Sequence, residues 1–175
     1  YAEGTAKVSP EYRALVAEAS IGPARERGCV AAGFLQDGGG WQAMANSAGP
    51  PKELFTAPIG AMQKVLTKAE LKVGDVDLFE LNEAFATQVL GCLAAWNDEK
   101  FCKEILGLDG AAGELDQTRL NVDGGAISLG HPVGCSGNRI VLHLVNAMKR
   151  LGTRRGIATE CIGGGLGGAM LIETV

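Results

Sequence analysis

The sequence predicts an α/β fold, with a mixed β-sheet covered by helices on both faces, and three observations lead to this class. Segments that read as strands alternate along the chain with segments whose apolar residues recur at helical spacing. Hydrophobic residues fill 46% of the 175 positions and the formal net charge is only −4, a balance that excludes a disordered chain. The 26 glycines follow no Gly-X-Y period, so we expect them in turns. A chain of this length is expected to form one domain over residues 1–175.

The first 58 residues give the weakest indications of secondary structure. Apolar residues at 14–17 and 30–35 read as strands, and residues 18–27 between them have a helix-like composition that ends at Gly28. Residues 36–58 hold several glycines and prolines and few periodic apolar positions. They therefore predict a long loop, of the kind that is functional or mobile.

The middle of the chain predicts a helix, a strand and a second helix. Pro58 suits a first helical position, and the apolar residues of 59–69 recur at helical spacing. Residues 76–81 read as a strand buried on one face, and Asn82 follows as the N-cap of a helix with Glu83 in its first turn. The more charged residues 97–117 predict a surface excursion with a short helix.

The last third returns to buried character over residues 120–129, which end in the turn Gly130-His131-Pro132. Ser136 is expected to cap an amphipathic helix that Gly152 stops. Residues 156–162 and 168–172 then read as two strands joined by a glycine-rich turn.

Composition also limits the classes of partner and location. The chain has no Lys/Arg-rich run typical of nucleic-acid binders and no apolar run near the roughly 20 residues that span a bilayer. Its start lacks the basic and apolar regions of a signal peptide, so we expect a cytoplasmic protein. Five cysteines without a Cys-x-x-Cys pair, with only two histidines, argue against a metal site and against a disulfide framework. In a reducing compartment a cysteine stays available as a reagent.

Three segments combine a reactive or polar side chain with glycine or a strand end. They are residues 81–85 (Leu-Asn-Glu-Ala-Phe), residues 124–137 around His131, and residues 161–165 (Cys-Ile-Gly-Gly-Gly). Because ligands of α/β sheets bind at one edge, where strands end, we expect the three segments to meet in one crevice.

The residues alone leave two interpretations for each candidate. His131 is either a general base held by a rigid turn or a polar turn residue with a structural hydrogen bond. Cys161 is either a thiol placed beside a nest of glycine N–H groups or a small buried hydrophobe. Asn82 reads most simply as a helix cap, with a ligand role as the alternative. Packing or incidental surface roles are assigned to His143, Cys29, Cys92, Cys102 and Cys135.

Taken together, Asn82-Glu83-Ala84-Phe85, Gly130-His131-Pro132 and Cys161-Ile162-Gly163-Gly164-Gly165 resemble three C-terminal signature segments of the thiolases. These are coenzyme A-dependent acyltransferases such as acetyl-CoA acetyltransferase. The order matches, as does the step of 30 residues from His131 to Cys161. The resemblance runs from about Pro58 to the end and implies a thiolase-like C-terminal domain, with residues 97–117 as an insertion.

The resemblance implies catalytic roles for four residues and a binding role for a fifth. His131 would activate a nucleophilic cysteine, and Cys161 would exchange a proton with the acetyl methyl group or the leaving thiol. Asn82 would hold the water of one oxyanion hole, the backbone N–H of Gly163 would contribute to a second, and Phe85 would border the pantetheine channel. No resident cofactor is implied, since the coenzyme A thioester is the substrate.

Thiolases resemble a duplicated pair of α/β halves, and their nucleophilic cysteine lies in the N-terminal half. No cysteine here lies in a comparable segment. The resemblance therefore implies the C-terminal half or subunit of an acetyl-CoA C-acetyltransferase or 3-ketoacyl-CoA thiolase of fatty acid metabolism. It would act in a hetero-oligomer with the N-terminal half, as a dimer or tetramer of such units. The alternatives are a non-catalytic subunit that stabilises a partner and a ketoacyl synthase, which typically has a second histidine where Cys161 stands.

Overall fold

The computed structural model describes residues 40–174, which contain a four-stranded sheet of order β1-β4-β3-β2. Its strands are β1 (Gly40–Ala48), β2 (Leu78–Leu81), β3 (Arg155–Gly163) and β4 (Leu166–Glu173). β1 and β3 both run antiparallel to β4, whereas β2 runs parallel to β3. The predicted mixed sheet is confirmed. The strands and helix expected before residue 36 lie outside the described residues.

Five α-helices accompany the sheet in this part of the chain. They are α1 (Ala57–Ala69), α2 (Ala86–Asn97), α3 (Glu99–Glu104), α4 (Ala126–Leu129) and α5 (Ser136–Leu151). Single 3-10 turns occur at Pro51–Glu53, Val73–Asp75 and Gln117–Arg119. None of the described helices has the length and apolar character needed to cross a membrane.

Helices cover both faces of the sheet, as expected. α1 packs on β1, β4 and β3, and α2 joins the same core, which is built around buried side chains such as Ile59, Val65, Trp96, Ile157 and Leu171. α5 packs on β2 and β3 on the other face, where the core consists of Leu78, Ile140, Leu144, Val145, Ala147, Met148, Ala158 and Ile172. Alternate residues of β3 thus enter different cores, because successive strand side chains point to opposite faces.

The predicted helices α1 and α5 and the last two strands are confirmed, but the N-cap of α5 is Cys135 and not Ser136, which is the first helical residue. Pro58 lies in the first turn of α1, where its missing N–H costs no helical hydrogen bond. α5 ends at Gly152, whose φ of 65° is left-handed and therefore favours glycine. β3 and β4 form the expected hairpin through Gly164 and Gly165, both also at positive φ.

The predicted loop over residues 36–58 is wrong where the structure begins, because residues 40–48 form edge strand β1. Ala43 and Ala45 are buried toward α1, while Met44 and Asn46 are exposed. Small buried residues give a strand little hydrophobic signal, and the pairing partner β4 lies more than a hundred residues away along the chain.

The segment at residues 97–117 is only partly a surface excursion. It does contain the expected short helix, α3, but Cys102 and Leu115 are buried. The buried character expected for residues 120–129 is confirmed only in part. Leu120 forms a bridge with Phe79 and Ala126 is buried, but Ile127 and Leu129 of the short helix α4 are each 62% exposed.

Candidate active site

Asn82 extends β2 by one residue, and its side chain is buried with 1% of its surface exposed. Its backbone N–H donates to the Thr159 carbonyl of β3 at 3.0 Å. α2 begins only at Ala86, with Phe85 as the N-cap, so the predicted helix-cap role of Asn82 is wrong. The Asn82 Oδ1 accepts from Arg139 Nη2 at 3.2 Å, which turns the amide NH₂ toward His131.

Glu83 joins the end of β2 to the loop that leads to His131. Its Oε1 accepts from the Asn121 amide and its Oε2 accepts from the Ile127 N–H, both at 3.0 Å. A Cβ on Gly125 would lie 2.3 Å from the Glu83 carboxyl carbon, so glycine is needed for this close approach. Glu83 therefore fixes the loop and does not belong to the first turn of a helix.

Asn121 completes the attachment of the loop and was not singled out in the sequence. Its Oδ1 accepts from the Leu81 N–H at 3.0 Å, and its Nδ2 donates to the Leu81 carbonyl at 2.9 Å. The side chain thus replaces a neighbouring strand at the end of β2. The backbone of Asn121 has a φ of 47°, a left-handed conformation that asparagine tolerates better than most residues.

His131 lies between Gly130, with a φ of 93°, and the start of α5. Its Nδ1 is 2.6 Å from the Ser136 hydroxyl and 3.5 Å from Asn82 Nδ2. The Ser136 hydroxyl is also 3.3 Å from the Pro132 carbonyl, to which it can donate. A hydroxyl that donates there can accept from Nδ1–H, and in that tautomer Nε2 carries the lone pair that a base needs.

Cys161 lies near the end of β3 and is partly exposed. Its thiol donates to Gln88 Oε1 at a distance of 3.7 Å. A β-bulge separates Cys161 from Gly163, which has a φ of 103° and opens the turn to β4. The bulge changes the direction of the strand just after Cys161.

The three predicted segments converge, although not every predicted side chain touches another. Asn82 and His131 lie side by side, and Asn82 pairs through its backbone with Thr159, two residues before Cys161. Within the described residues no hydrogen bond joins Cys161 to His131 or to Asn82. The arrangement holds an amide, an imidazole and a thiol around one end of β2 and β3.

Phe85 is 53% exposed and precedes α2. Its ring packs edge-to-face against Phe55, with 5.5 Å between the ring centroids. Phe55 is 41% exposed, so the pair presents apolar surface beside the site. Such a surface suits the apolar part of a ligand or another protein segment.

Glu160 is a further charged group at the site that the sequence analysis missed. A Cβ on Gly137 would lie 2.5 Å from the Glu160 carboxylate, so this glycine lets the carboxylate approach the start of α5. Burial raises the pKa of Glu160, while the charges of His131 and Arg139 act in the opposite direction. With Gly137 and Ile162, Glu160 lines a surface cavity of about 230 Å³.

His143 is not merely a packing residue, contrary to the sequence-based assignment. Its Nδ1 is 2.7 Å from Glu80 Oε1 and its Nε2 is 2.9 Å from Asp123 Oδ2, so it joins β2 to the loop before His131. Arg150 binds the same Asp123 carboxylate. Burial raises the pKa of Glu80, and the His143 contact opposes that rise.

Replacing His143 with leucine is expected to lower the free energy of unfolding by about 3 kcal/mol near pH 7, because Glu80 would stay buried without its partner. A raised pKa means that folded Glu80 holds its proton more tightly than in the unfolded chain. Stability therefore falls as the pH rises from about 4.5 through the raised pKa, and the fall is larger in the variant.

Urea unfolding of the 175-residue chain at several pH values measures this prediction. Asn146→Leu, at an exposed position of the same helix, serves as the control and should change stability by less than about 0.5 kcal/mol. A His143→Leu variant as stable as this control at neutral pH would contradict the assignment.

No group of three or more His, Cys, Asp or Glu side chains in the described part of the chain is arranged to hold a metal ion. The site itself contains an imidazole, a thiol, an amide and backbone N–H groups. Such groups move protons and stabilise a developing oxyanion.

A sequence profile described as "Thiolase, C-terminal domain" matches residues 38–174. The chain is 44% identical to a 3-ketoacyl-CoA thiolase of Aliivibrio salmonicida over 75% of its own length and 30% of that protein. It is 47% identical to an acetyl-CoA acetyltransferase of Shinella zoogloeoides over 71% of its length and 28% of that protein. The chain thus spans under a third of the length of these relatives.

The structure is similar to the crystal structure of the Bacillus anthracis acetyl-CoA acetyltransferase, with a TM-score of 0.64 and 35% sequence identity. This match covers 78% of the chain and 30% of the solved structure. All the site residues discussed above lie inside the segment that the profile matches.

Proposed function

The chain belongs to the thiolase family, and on that basis we propose that it supplies the acid/base and oxyanion-hole groups of a thiolase-type acyltransferase. The observation that carries the proposal is the position of the Asn82 amide beside the imidazole, with 3.5 Å between Asn82 Nδ2 and His131 Nδ1, next to the strand that holds Cys161. An amide donor beside a base is what a reaction with a developing oxyanion requires.

In the proposed reaction His131 Nε2 takes the proton of a nucleophilic thiol, the thiolate attacks the carbonyl carbon of a first thioester, and the coenzyme A thiolate leaves and takes a proton from Cys161. During condensation the Cys161 thiolate takes a proton from the acetyl methyl group of a second thioester, whose enolate attacks the acyl group and releases the nucleophilic thiolate, which regains its proton from His131. In the thiolysis direction Cys161 instead gives its proton to the enolate left by the broken carbon–carbon bond. The contact of Nδ1 with Ser136 supports this role of His131, since it leaves Nε2 for the substrate side.

Asn82 would hold a water that completes one oxyanion hole, and the N–H of Gly163 would contribute to a second. The fixed amide orientation of Asn82, with Arg139 on its oxygen, supports a donor role for its NH₂. The exposed ring of Phe85 supports a place beside the apolar pantetheine arm of the substrate. The substrate is an acyl-CoA thioester, and no resident cofactor is needed.

The nucleophilic cysteine would come from a thiolase N-terminal half, on a partner subunit or on another part of the same polypeptide. This proposal follows from the share of the relatives that the chain covers, 30% or less in the matches above. We further propose dimers or tetramers of such units, a cytoplasmic location and a place in fatty acid metabolism, on the sequence grounds already given.

The test is thiolysis of acetoacetyl-CoA by the 175-residue chain alone, and by the chain joined to or copurified with a thiolase N-terminal half. We expect turnover in the second sample only. Clear thiolysis by the chain alone would overturn the proposal that the nucleophilic cysteine comes from an N-terminal half. An assembled enzyme that stays fully active after loss of His131 would instead favour a non-catalytic subunit.

A further inference from the structure

Gln88 is a fully buried polar side chain on the first turn of α2, with 0% of its surface exposed. Its Oε1 accepts the thiol hydrogen of Cys161 at 3.7 Å. Its Nε2 is buried without a hydrogen-bond partner among the described residues. Leaving a buried amide NH₂ without a hydrogen-bond partner is destabilising.

We propose that Gln88 is a positioning residue for Cys161 that serves the sulfur in both of its protonation states. The inference rests on the proposed function, in which Cys161 alternates between thiol and thiolate. A thiol needs an acceptor, and the amide carbonyl provides one. A thiolate needs a donor, and the amide NH₂ provides one after the side-chain amide turns over.

Glutamine suits this task because its two amide ends occupy nearly the same space and differ mainly in hydrogen-bonding character. Neither end is committed elsewhere, because Oε1 contacts only the thiol and Nε2 is unpaired within the described part of the chain. A methionine of similar size would offer neither a good acceptor nor a donor, and a glutamate would repel the thiolate.

A second thiol near Cys161, that of Cys92 on α2, has a partner that can only accept a hydrogen bond. Cys92, one helical turn after Gln88, donates to the Phe55 carbonyl at 2.9 Å, a backbone acceptor with no donor to offer. Burial and, to a smaller extent, Cys161 raise the pKa of Cys92 to about 12, so Cys92 stays a thiol. Of these two thiols, Cys161 is the one paired with a group that can reverse its role.

The experiment measures alkylation of Cys161 by iodoacetamide in the 175-residue chain, resolved by peptide mass spectrometry near pH 8. We expect roughly fivefold slower alkylation in Gln88→Met, because the thiolate loses a hydrogen bond, and a larger decrease in Gln88→Glu. The exposed Cys135 of each sample is the internal reference, and its rate should not change.

A merely structural role predicts the opposite direction, because looser packing would expose Cys161 and speed its alkylation. Equal or faster alkylation of Cys161 in folded Gln88→Met would overturn the inference, and the Glu variant repeats the test if the Met variant does not fold. Alkylation needs neither coenzyme A nor an N-terminal half. Its outcome is therefore separate from that of the thiolysis assay.

Discussion

Replacing His131 with alanine is expected to lower kcat of the assembled enzyme by about 10³-fold or more. The imidazole would be lost both as the base that activates the nucleophile and as a donor to the thioester oxygen, and each contribution is large. Steady-state thiolysis of acetoacetyl-CoA measures the effect. The fold should persist, because His131 is partly exposed and its ring contacts are at the surface end of α5.

A second variant tests the placement of the His131 ring without removing the ring itself. Ser136→Ala removes the hydroxyl 2.6 Å from Nδ1 and should cost about tenfold in kcat, since the ring remains but loses the partner that sets its tautomer. Asn146→Ala, at an exposed position on the same helix, should leave kcat unchanged. Full activity of His131→Ala would contradict the proposed role.

Replacing Asn82 with aspartate is expected to lower kcat by about 10²-fold while the enzyme stays folded. The carboxylate has the shape of the amide and keeps the contact with Arg139, but it has no NH₂ to donate to the water of the oxyanion hole. The same thiolysis assay measures the loss, and urea unfolding verifies the fold.

Asn146→Asp makes the same chemical change at an exposed site and is the matched control. If Asn82→Asp retained the kcat of this control, Asn82 would not belong to an oxyanion hole. A loss of stability without a loss of kcat would lead to the same conclusion, since it would leave Asn82 only its contacts with Arg139 and Thr159.

Periodicity and glycine predicted the parts of the fold whose structure is decided locally. α1 and α5 carry apolar residues at helical spacing, and their ends are marked by Pro58 and Gly152. The hairpin of β3 and β4 follows from two apolar runs around a glycine turn. In each case the residues that decide the structure are neighbours in sequence.

The wrong predictions concern segments whose structure depends on contacts between residues that are distant in sequence. β1 buries alanines against α1 and depends on β4 for its hydrogen bonds, so its own residues give a weak pattern. Asn82 resembles a helix cap in sequence, but pairing with Thr159 holds it in an extension of β2. The loop between Asn121 and His131 folds around Glu83, a contact between residues about forty positions apart.

The sequence predicted the three segments of the candidate site but not the contacts between their side chains. Its motif residues His131, Asn82 and Cys161 stand out beside glycines or at strand ends, whereas Gln88 and Glu160 lie inside a helix and a strand that look ordinary. A polar residue in an apolar stretch was the available signal for both. Their partners, a thiol and the start of α5, become apparent only after folding.

The most direct test of the central claim is to find where an acyl group becomes attached. The chain is incubated with acetyl-CoA alone and with a thiolase N-terminal half, and the covalent adduct is located by mass spectrometry. The account predicts no acyl group on the 175-residue chain by itself, and in the assembled enzyme an acetyl group on a cysteine of the N-terminal half. A stable acetyl-cysteine at Cys161, or at any other cysteine of this chain, would contradict it.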